Sequence, residues 1–117
     1  MNTALWVWQW LLAGLFLLTG ALKLVLSAAK VRQLAPAYFS LAFLRGLGVV
    51  ELLGAVGIIG PALTGLWPVL TPLAAAGMSV VLAAAVAVHT QRRDFGTVPF
   101  LLLMLVGALA VTWGRWP

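Results

Sequence analysis

Residues 3–29 read TALWVWQWLLAGLFLLTGALKLVLSAA, and this run decides the fold. Its only charged side chain is Lys23. A transmembrane helix needs about 20 consecutive, predominantly apolar residues, so the run is long enough to cross a bilayer with some tilt. The apolar residues do not alternate with period two, which favours a helix over a strand. The run therefore predicts a first transmembrane helix over residues 3–29.

The composition of the whole chain extends this prediction to a polytopic membrane protein. Of the 117 residues, 64% are hydrophobic and 8% are charged, whereas a soluble domain has about 25% charged residues. The mean hydropathy is +1.14. Three further apolar runs, separated by basic, Pro or Gly residues, predict helices over residues 41–60, 69–91 and 97–114. Pro72 and Pro99 are expected in first turns, where a missing N–H is tolerated. The predicted fold is all-α, a single domain (1–117) that forms a four-transmembrane-helix antiparallel bundle.

The basic residues predict how the chain is oriented in the membrane. Loops 1 and 3 carry five of the seven lysines and arginines: Lys30, Arg32, Arg45, Arg92 and Arg93. Because basic residues favour the cytoplasmic side, we expect both loops in the cytoplasm and both termini outside, in a bacterial-type plasma (inner) membrane. The six tryptophans all fall on the predicted outer side: Trp6, Trp8, Trp10, Trp67, Trp113 and Trp116. This agrees with the preference of tryptophan for the headgroup level.

Residue types exclude several kinds of chemistry. The chain has no cysteine and one histidine, His89, so disulfide exchange, thiolate ligation and bis-histidine haem binding within one chain are excluded. We predict neither a metal site nor catalytic residues, and we expect no catalytic activity from the chain alone. His89 is interpreted as an interfacial side chain, and Asp94 is expected to pair with Arg92 or Arg93. The few basic residues lie at segment ends and do not indicate nucleic-acid binding.

Lys23 and Glu51 are ionisable residues inside predicted membrane helices. Such residues are costly to bury and usually pair, face a bundle interior or line a wet cavity. Lys23 lies six residues before the predicted end of the first helix, and Glu51 lies six residues after Arg45, about 9 Å of helix in each case. Counted from Leu41, the predicted start of the second helix, Glu51 lies several ångströms deeper. Because the two helices are antiparallel neighbours, we expect an ion pair between them.

Small and hydroxyl-bearing residues surround this pair. Thr19, Lys23 and Ser27 recur at i, i+4 and i+8, which places them on one helix face, while Gly54 leaves space on the face of Glu51. We predict a ligand-binding site formed by Lys23, Glu51, Thr19, Ser27 and Gly54. Two structural alternatives remain: the charges only neutralise each other and pin two helices, or Lys23 extends to the headgroups.

Two further features each have a packing interpretation. Small residues recur every four positions in the third helix, at Ala75, Ser79, Ala83 and Ala87, which is typical of close helix packing in lipid. Whether they serve internal packing or a homodimer is left open. The apolar connector 31–43 is either an interfacial turn broken by Pro36 or an aromatic lid near Lys23 and Glu51.

The sequence resembles the DoxX/DoxX-like family of small four-helix membrane proteins. The resemblance is carried by GLFLLTGALK, residues 14–23, and by GVVELLG, residues 48–54, together with the helix order and the basic connector. It implies a four-helix integral membrane protein. Family members are linked to respiratory or thiol-stress redox assemblies, including a quinone-coupled thiosulfate oxidoreductase. The disulfide chemistry of broader relatives does not carry over, because the chain lacks cysteine.

Three functions remain in competition. The first is an accessory subunit of a membrane redox assembly that binds a hydrophobic small molecule, a quinone or a lipid, with its polar head at Lys23 and Glu51. The second is a small proton-coupled transporter, although small multidrug exporters carry their glutamate in the first helix, where this chain has Lys23. The third is a purely structural interaction partner. Membrane lipids, a second copy of the chain and redox proteins are the expected partners, and quinone is the candidate cofactor.

Overall fold

The computed structural model describes residues 2–116, and the regular structure in this range is entirely helical. The helices are α1 (Asn2–Val25), α2 (Ala28–Gln33), α3 (Leu41–Thr64), α4 (Leu70–Gln91) and α5 (Val98–Gly114). By length and composition, α1, α3 and α4 can each cross a membrane, and α5 is a shorter apolar helix of 17 residues. The all-α prediction is confirmed, and Pro72 and Pro99 lie in first turns as predicted.

The first helix is shorter than predicted, because α1 ends at Val25 and not at Ala29. Ser27 has an extended backbone, and its hydroxyl accepts a hydrogen bond from the Lys30 N–H at 3.4 Å, so it begins the separate helix α2. The expectation that Ser27 continues the face of Thr19 and Lys23 is therefore wrong. A serine that caps a new helix has left the periodicity of the previous one.

The second predicted helix (41–60), by contrast, is longer than predicted, since it is observed as α3, which continues through Pro61 to Thr64. Pro61 lies in the last turn of α3, where the loss of one N–H removes a single bond. The helix ends at Gly65, whose φ of 73° is left-handed and whose N–H donates to the Pro61 carbonyl at 2.8 Å. Glycine adopts this conformation without steric cost, so Gly65, not Pro61, is the end signal.

The four longest helices pack in pairs around a common core. Helix α1 contacts α3 and α5, helix α4 contacts the same two, and α2 rests on α3. The core contains Leu12, Phe16, Ile58, Ala75, Met78, Leu82, Met104, Ala108 and Val111. Many leucines and valines face outward, including Leu53, Val80 and Leu103. This outer surface is apolar, as expected for helices that contact lipid.

The molecule has two chemically different ends. The basic end comprises the end of α1, α2, the start of α3 and the α4–α5 loop, and it carries six of the seven lysines and arginines. The tryptophan end comprises the start of α1, the α3–α4 loop and the end of α5. Contacts of Arg115 with Asn2 and Gln9 bring the two chain ends together there.

Candidate functional site

Lys23 and Glu51 form an ion pair between α1 and α3. The Lys23 ammonium donates to both Glu51 carboxylate oxygens, at 3.0 and 3.1 Å. The Glu51 side chain is 5% exposed and that of Lys23 is 16% exposed. The predicted pair is confirmed, and it is largely withdrawn from the protein surface. A charge so placed is far more favourable with its partner than without it.

Two glycines bring the helices close enough for this pair. A Cβ placed on Gly20 would lie 2.7 Å from the Gly48 carbonyl oxygen, and a Cβ on Gly48 would lie 2.9 Å from the Gly20 carbonyl oxygen and from the Lys23 Cβ. Real side chains do not tolerate such distances, so both positions require glycine. The crossing of α1 and α3 is therefore centred one turn from the ion pair.

Arg45 has a role that sequence reasoning missed. Its guanidinium donates to the carbonyls of Lys23 at 3.1 Å, Leu24 at 2.9 Å and Leu26 at 3.2 Å. These carbonyls lie at the end of α1, where the helix itself supplies no donors. Arg45 thus caps α1 from α3 and satisfies carbonyls that the end of α1 leaves free. The sequence signal for this role was the position of Arg45 one turn before Gly48. The positive-inside rule interprets Arg45 only as a residue that orients the chain in the membrane.

The equal depth predicted for the two charges is wrong, although the predicted pair is right. Lys23 lies two residues before the end of α1 at Val25, and Glu51 lies ten residues after the start of α3 at Leu41. These offsets correspond to about 3 Å and about 15 Å of helix. The pair forms because α3 extends well beyond the end of α1 at the basic end.

Glu51 also borders an apolar cavity of about 440 Å³ between α3 and α4, here called the groove. Glu51 is the only charged residue in its wall. The other lining residues include Phe16 from α1, Gly54 and Gly57 from α3, and Gly77 and Met78 from α4. An apolar cavity of several hundred Å³ with one convergent polar group is typical of a small-molecule site.

The five predicted site residues do not all meet. Glu51 and Gly54 line the groove, whereas Lys23 reaches it only through Glu51. Thr19 is half-buried on α1, and its hydroxyl donates to the Phe16 carbonyl at 3.5 Å. Ser27 is exposed at the start of α2. The structure thus places Thr19 and Ser27 outside the groove wall.

Several groove residues were not predicted as part of a site. Phe16 and Met78 are core residues, and no site role is predicted for Gly57. Gly57 lies against Ala74, because a Cβ on it would meet the Ala74 Cβ at 3.1 Å, and Gly54 lies against Met78. The sequence signal for a gap between these helices was the presence of small residues on both α3 and α4.

The basic end is closed by polar contacts between the connector and the end of α4. The Tyr38 hydroxyl donates to the Gln91 side-chain oxygen at 3.2 Å, and Arg92 donates to the Gln33 carbonyl at 3.3 Å. The rings of Tyr38, Phe39 and Phe43 follow one another at centroid distances of 4.7 and 5.1 Å. The connector is thus anchored to α4 as well as to α3.

Asp94 does not pair with Arg92 or Arg93 as predicted. Its carboxylate contacts the His89 ring nitrogen Nδ1 at 2.9 Å and accepts from the Thr97 hydroxyl at 2.9 Å. The hydrogen bonds from His89, first, and Thr97 lower the pKa of Asp94 below its ordinary value. Arg93, whose φ is 57°, turns the backbone in this loop. Within residues 2–116, no three His, Cys, Asp or Glu side chains are placed to hold a metal.

Comparison with known proteins gives one match. The family model described as the DoxX-like family matches residues 7–111, which is most of the chain. No curated protein and no solved structure matches the sequence. The matched range includes α2, α3, α4 and most of α1 and α5, and it contains both Lys23 and Glu51.

Proposed function

The chain belongs to the DoxX-like family of membrane proteins, and from that premise we propose that it binds a hydrophobic small molecule, a quinone or a lipid, in the groove. The observation that carries this proposal is a buried carboxylate, Glu51, in the wall of an otherwise apolar cavity between two long apolar helices. The apolar wall would hold a ring or acyl chain, and Glu51 would orient the polar head.

The hydrogen-bonding chemistry of Glu51 restricts which polar groups a ligand can place beside it. An ionised carboxylate accepts hydrogen bonds and donates none. Lys23 is not part of the groove wall and offers its ammonium to Glu51 instead. The ligand head must therefore supply a donor, such as the hydroxyl of a reduced quinone (a quinol) or the hydroxyl or amine of a lipid. A quinone carbonyl would find no donor at this position.

The membrane architecture in the proposal is a four-helix bundle that spans the inner membrane. Support comes from the length of α5, whose 17 residues match the lower limit of about 17 residues for a spanning helix. Loops 1 and 3, which carry the basic residues, would face the cytoplasm. On the family resemblance, the protein would serve as an accessory subunit of a redox assembly.

A titration of the purified protein in phosphatidylcholine nanodiscs tests the ligand. The probes are decylubiquinol and decylubiquinone, and the proteins are the wild type, Glu51→Gln and Lys23→Met. We expect the quinol to bind the wild type more tightly than the quinone, and both variants to bind it more weakly. Equal binding of the quinol by the wild type and both variants would show that the ion pair is not part of the binding site.

A structural role for the ion pair is the second candidate function. It is favoured by the mutual contacts of the pair, since Lys23 engages both oxygens of Glu51. In that case the pair would fix the register of α1 against α3. The two functions differ in one respect, because only ligand binding requires the groove itself.

A further inference from the structure

A second polar cluster lies at the tryptophan end, remote from the groove. Arg115, just after α5, folds back onto α1 and donates from Nε to the Gln9 side-chain oxygen at 2.8 Å and from Nη1 to the Asn2 side-chain oxygen. Its guanidinium also lies 5.3 Å from the Trp6 ring centre. All three partners are uncharged, so within residues 2–116 the guanidinium is oriented by neutral groups alone.

Gln9 fixes this orientation from inside the core. Its side chain is 0% exposed, and its amide nitrogen donates to the Ile58 carbonyl at 2.8 Å. The amide oxygen is therefore committed to Arg115, since only this rotamer satisfies both ends of the amide. The buried side chain of Gln9 thus links α1 to α3 and holds Arg115 in place.

Two polar atoms in the cluster have no hydrogen-bond partner within residues 2–116. They are the buried Nη2 of Arg115 and the hydroxyl of Thr71, a residue that is 2% exposed. Buried polar groups are nearly always hydrogen-bonded, so two unsatisfied groups at one place indicate a missing partner. One is a donor only and the other can donate, so the partner must be an acceptor.

The two atoms belong to residues that line the same cavity. It has a volume of about 190 Å³ and is bordered by Trp6, Pro61, Gly65 and Pro68 as well as by Thr71 and Arg115. A single water needs only about 15 Å³ of such space. The cavity is therefore large enough for a polyatomic group.

The electrostatic environment of this cavity favours an anion. The chain has two acidic side chains, Glu51 and Asp94, and they are engaged with Lys23 and with His89 and Thr97, away from Arg115. Thr71 is the second residue of α4, a helix of 22 residues whose start has no side-chain cap. The positive end of the helix dipole therefore adds to the charge of Arg115.

We propose that this cavity binds a phosphate group, held by Arg115 Nη2 and the Thr71 hydroxyl at the start of α4. Arginine suits phosphate because its planar guanidinium presents several donors at once. The group has two sources, the headgroup of an anionic phospholipid or a free phosphate. Trp6, which lines the cavity, is of the residue type that favours the lipid headgroup level.

Thermal unfolding in nanodiscs tests the site. The wild type is compared with Thr71→Val, Arg115→Gln and the charge-matched control Arg93→Gln, whose position is in the loop at the basic end. All four proteins carry the same C-terminal tag, which keeps a terminal carboxylate out of the cavity. The discs contain the uncharged, phosphate-free lipid digalactosyldiacylglycerol, the same lipid with phosphatidylglycerol, or the same lipid with added inorganic phosphate at constant ionic strength.

We expect phosphatidylglycerol or inorganic phosphate to raise the Tm of the wild type and of Arg93→Gln, with apparent affinity reduced about tenfold in Thr71→Val and Arg115→Gln. Which additive acts identifies the source. Thr71→Val keeps the shape of the side chain, so it should unfold at a higher temperature than the wild type in digalactosyldiacylglycerol alone, because an unsatisfied hydroxyl is removed. Tm increases that are the same in all four proteins, or absent in the wild type, would overturn the proposal.

Discussion

At the scale of single residues, the Lys23–Glu51 pair has a different neighbour on each side. Arg45 lies on the side of the basic end, where it binds the last carbonyls of α1, and the groove lies on the other side of Glu51. The same carboxylate thus participates in holding two helices together and in shaping a cavity. Removing either charge should therefore affect stability, while the proposed ligand would contact Glu51 directly and Lys23 only through Glu51.

A double-mutant cycle measures the coupling of the pair. Lys23→Met or Glu51→Leu alone should lower the free energy of unfolding by about 3–5 kcal/mol, because each leaves a buried charge without its partner. The double variant should lie close to the wild type. Reversible unfolding in mixed micelles gives the four values. Additive losses in the double variant would mean that the two side chains are not coupled.

Asp94 predicts a pH dependence of stability at the basic end. The pKa of Asp94 is lowered in the folded protein by hydrogen bonds from His89 and Thr97, so its contribution to stability is present above the ordinary value of 3.8. This contribution is lost as the pH falls below that value through the lowered pKa of the folded state. In Asp94→Asn the corresponding part of the acid dependence of Tm should disappear, and an unchanged acid profile would contradict this assignment.

The Lys23–Glu51 ion pair could be predicted from the sequence, because a charged side chain inside a membrane helix is costly unless it is paired. The partner of Asp94 could not, since three candidate cations lie within five residues of it and the turn at Arg93 decides among them. The contact of Arg45 with the end of α1 could not be predicted from the sequence either. Its target carbonyls become available only because α1 ends at Val25, and no pattern in residues 20–30 marks that end.

At the scale of helices, the crossing of α1 and α3 depends on Gly20 and Gly48. Each glycine faces the carbonyl of the other, and Gly48 also faces the Lys23 Cβ. A methyl group at either position would separate the helices at the point where the ion pair forms. The sequence places both glycines near the charged residues, but periodicity alone cannot tell a glycine at a crossing from one that faces lipid.

The pair Gly48→Ala and Gly46→Ala tests this crossing within one helix. Gly48→Ala should destabilise the protein by about 1–3 kcal/mol, because the new methyl group overpacks the interface. Gly46→Ala should stabilise it by about 0.5–1 kcal/mol, because alanine favours the helix and a Cβ there meets no atom within 4 Å. Chemical unfolding compares them. Equal effects of the two substitutions would show that the crossing is not tightly packed.

The small-residue face of α4 is only partly used within the chain. Ala75 and Ser79 are buried, whereas Ala83 and Ala87 are exposed. The predicted packing face is thus half occupied by the chain's own helices. A homodimer through the exposed half stays a prediction.

At the scale of the whole molecule, the two ends differ in charge and in aromatic content. Six of the seven basic side chains lie at one end, and the α3–α4 loop at the other carries Trp67. The helical class and this asymmetry follow from composition and from the spacing of apolar runs. The groove and the cavity lined by Thr71 and Arg115 cannot be predicted in this way, because each is a gap between packed helices whose lining residues meet only in the folded chain.

The absence of cysteine in the chain allows the proposed topology to be tested by single-cysteine labelling. Leu66→Cys in the α3–α4 loop should react with a membrane-impermeant maleimide added to intact cells, because this loop is proposed to face outward. Gly96→Cys in the α4–α5 loop should react only after permeabilisation. Both positions are exposed. The reverse labelling pattern would invert the proposed orientation.

The most direct test of the central claim is to fill the groove and measure ligand affinity. Gly77 lines the groove and a Cβ there meets no atom within 4 Å, whereas Gly46 is equally open but lies outside it. In nanodiscs, Gly77→Leu should weaken the binding of decylubiquinol by about tenfold or more, since the leucine side chain occupies the space that the ligand needs. Gly46→Leu should bind like the wild type. Undiminished binding by Gly77→Leu, with its fold intact, would contradict a ligand in the groove.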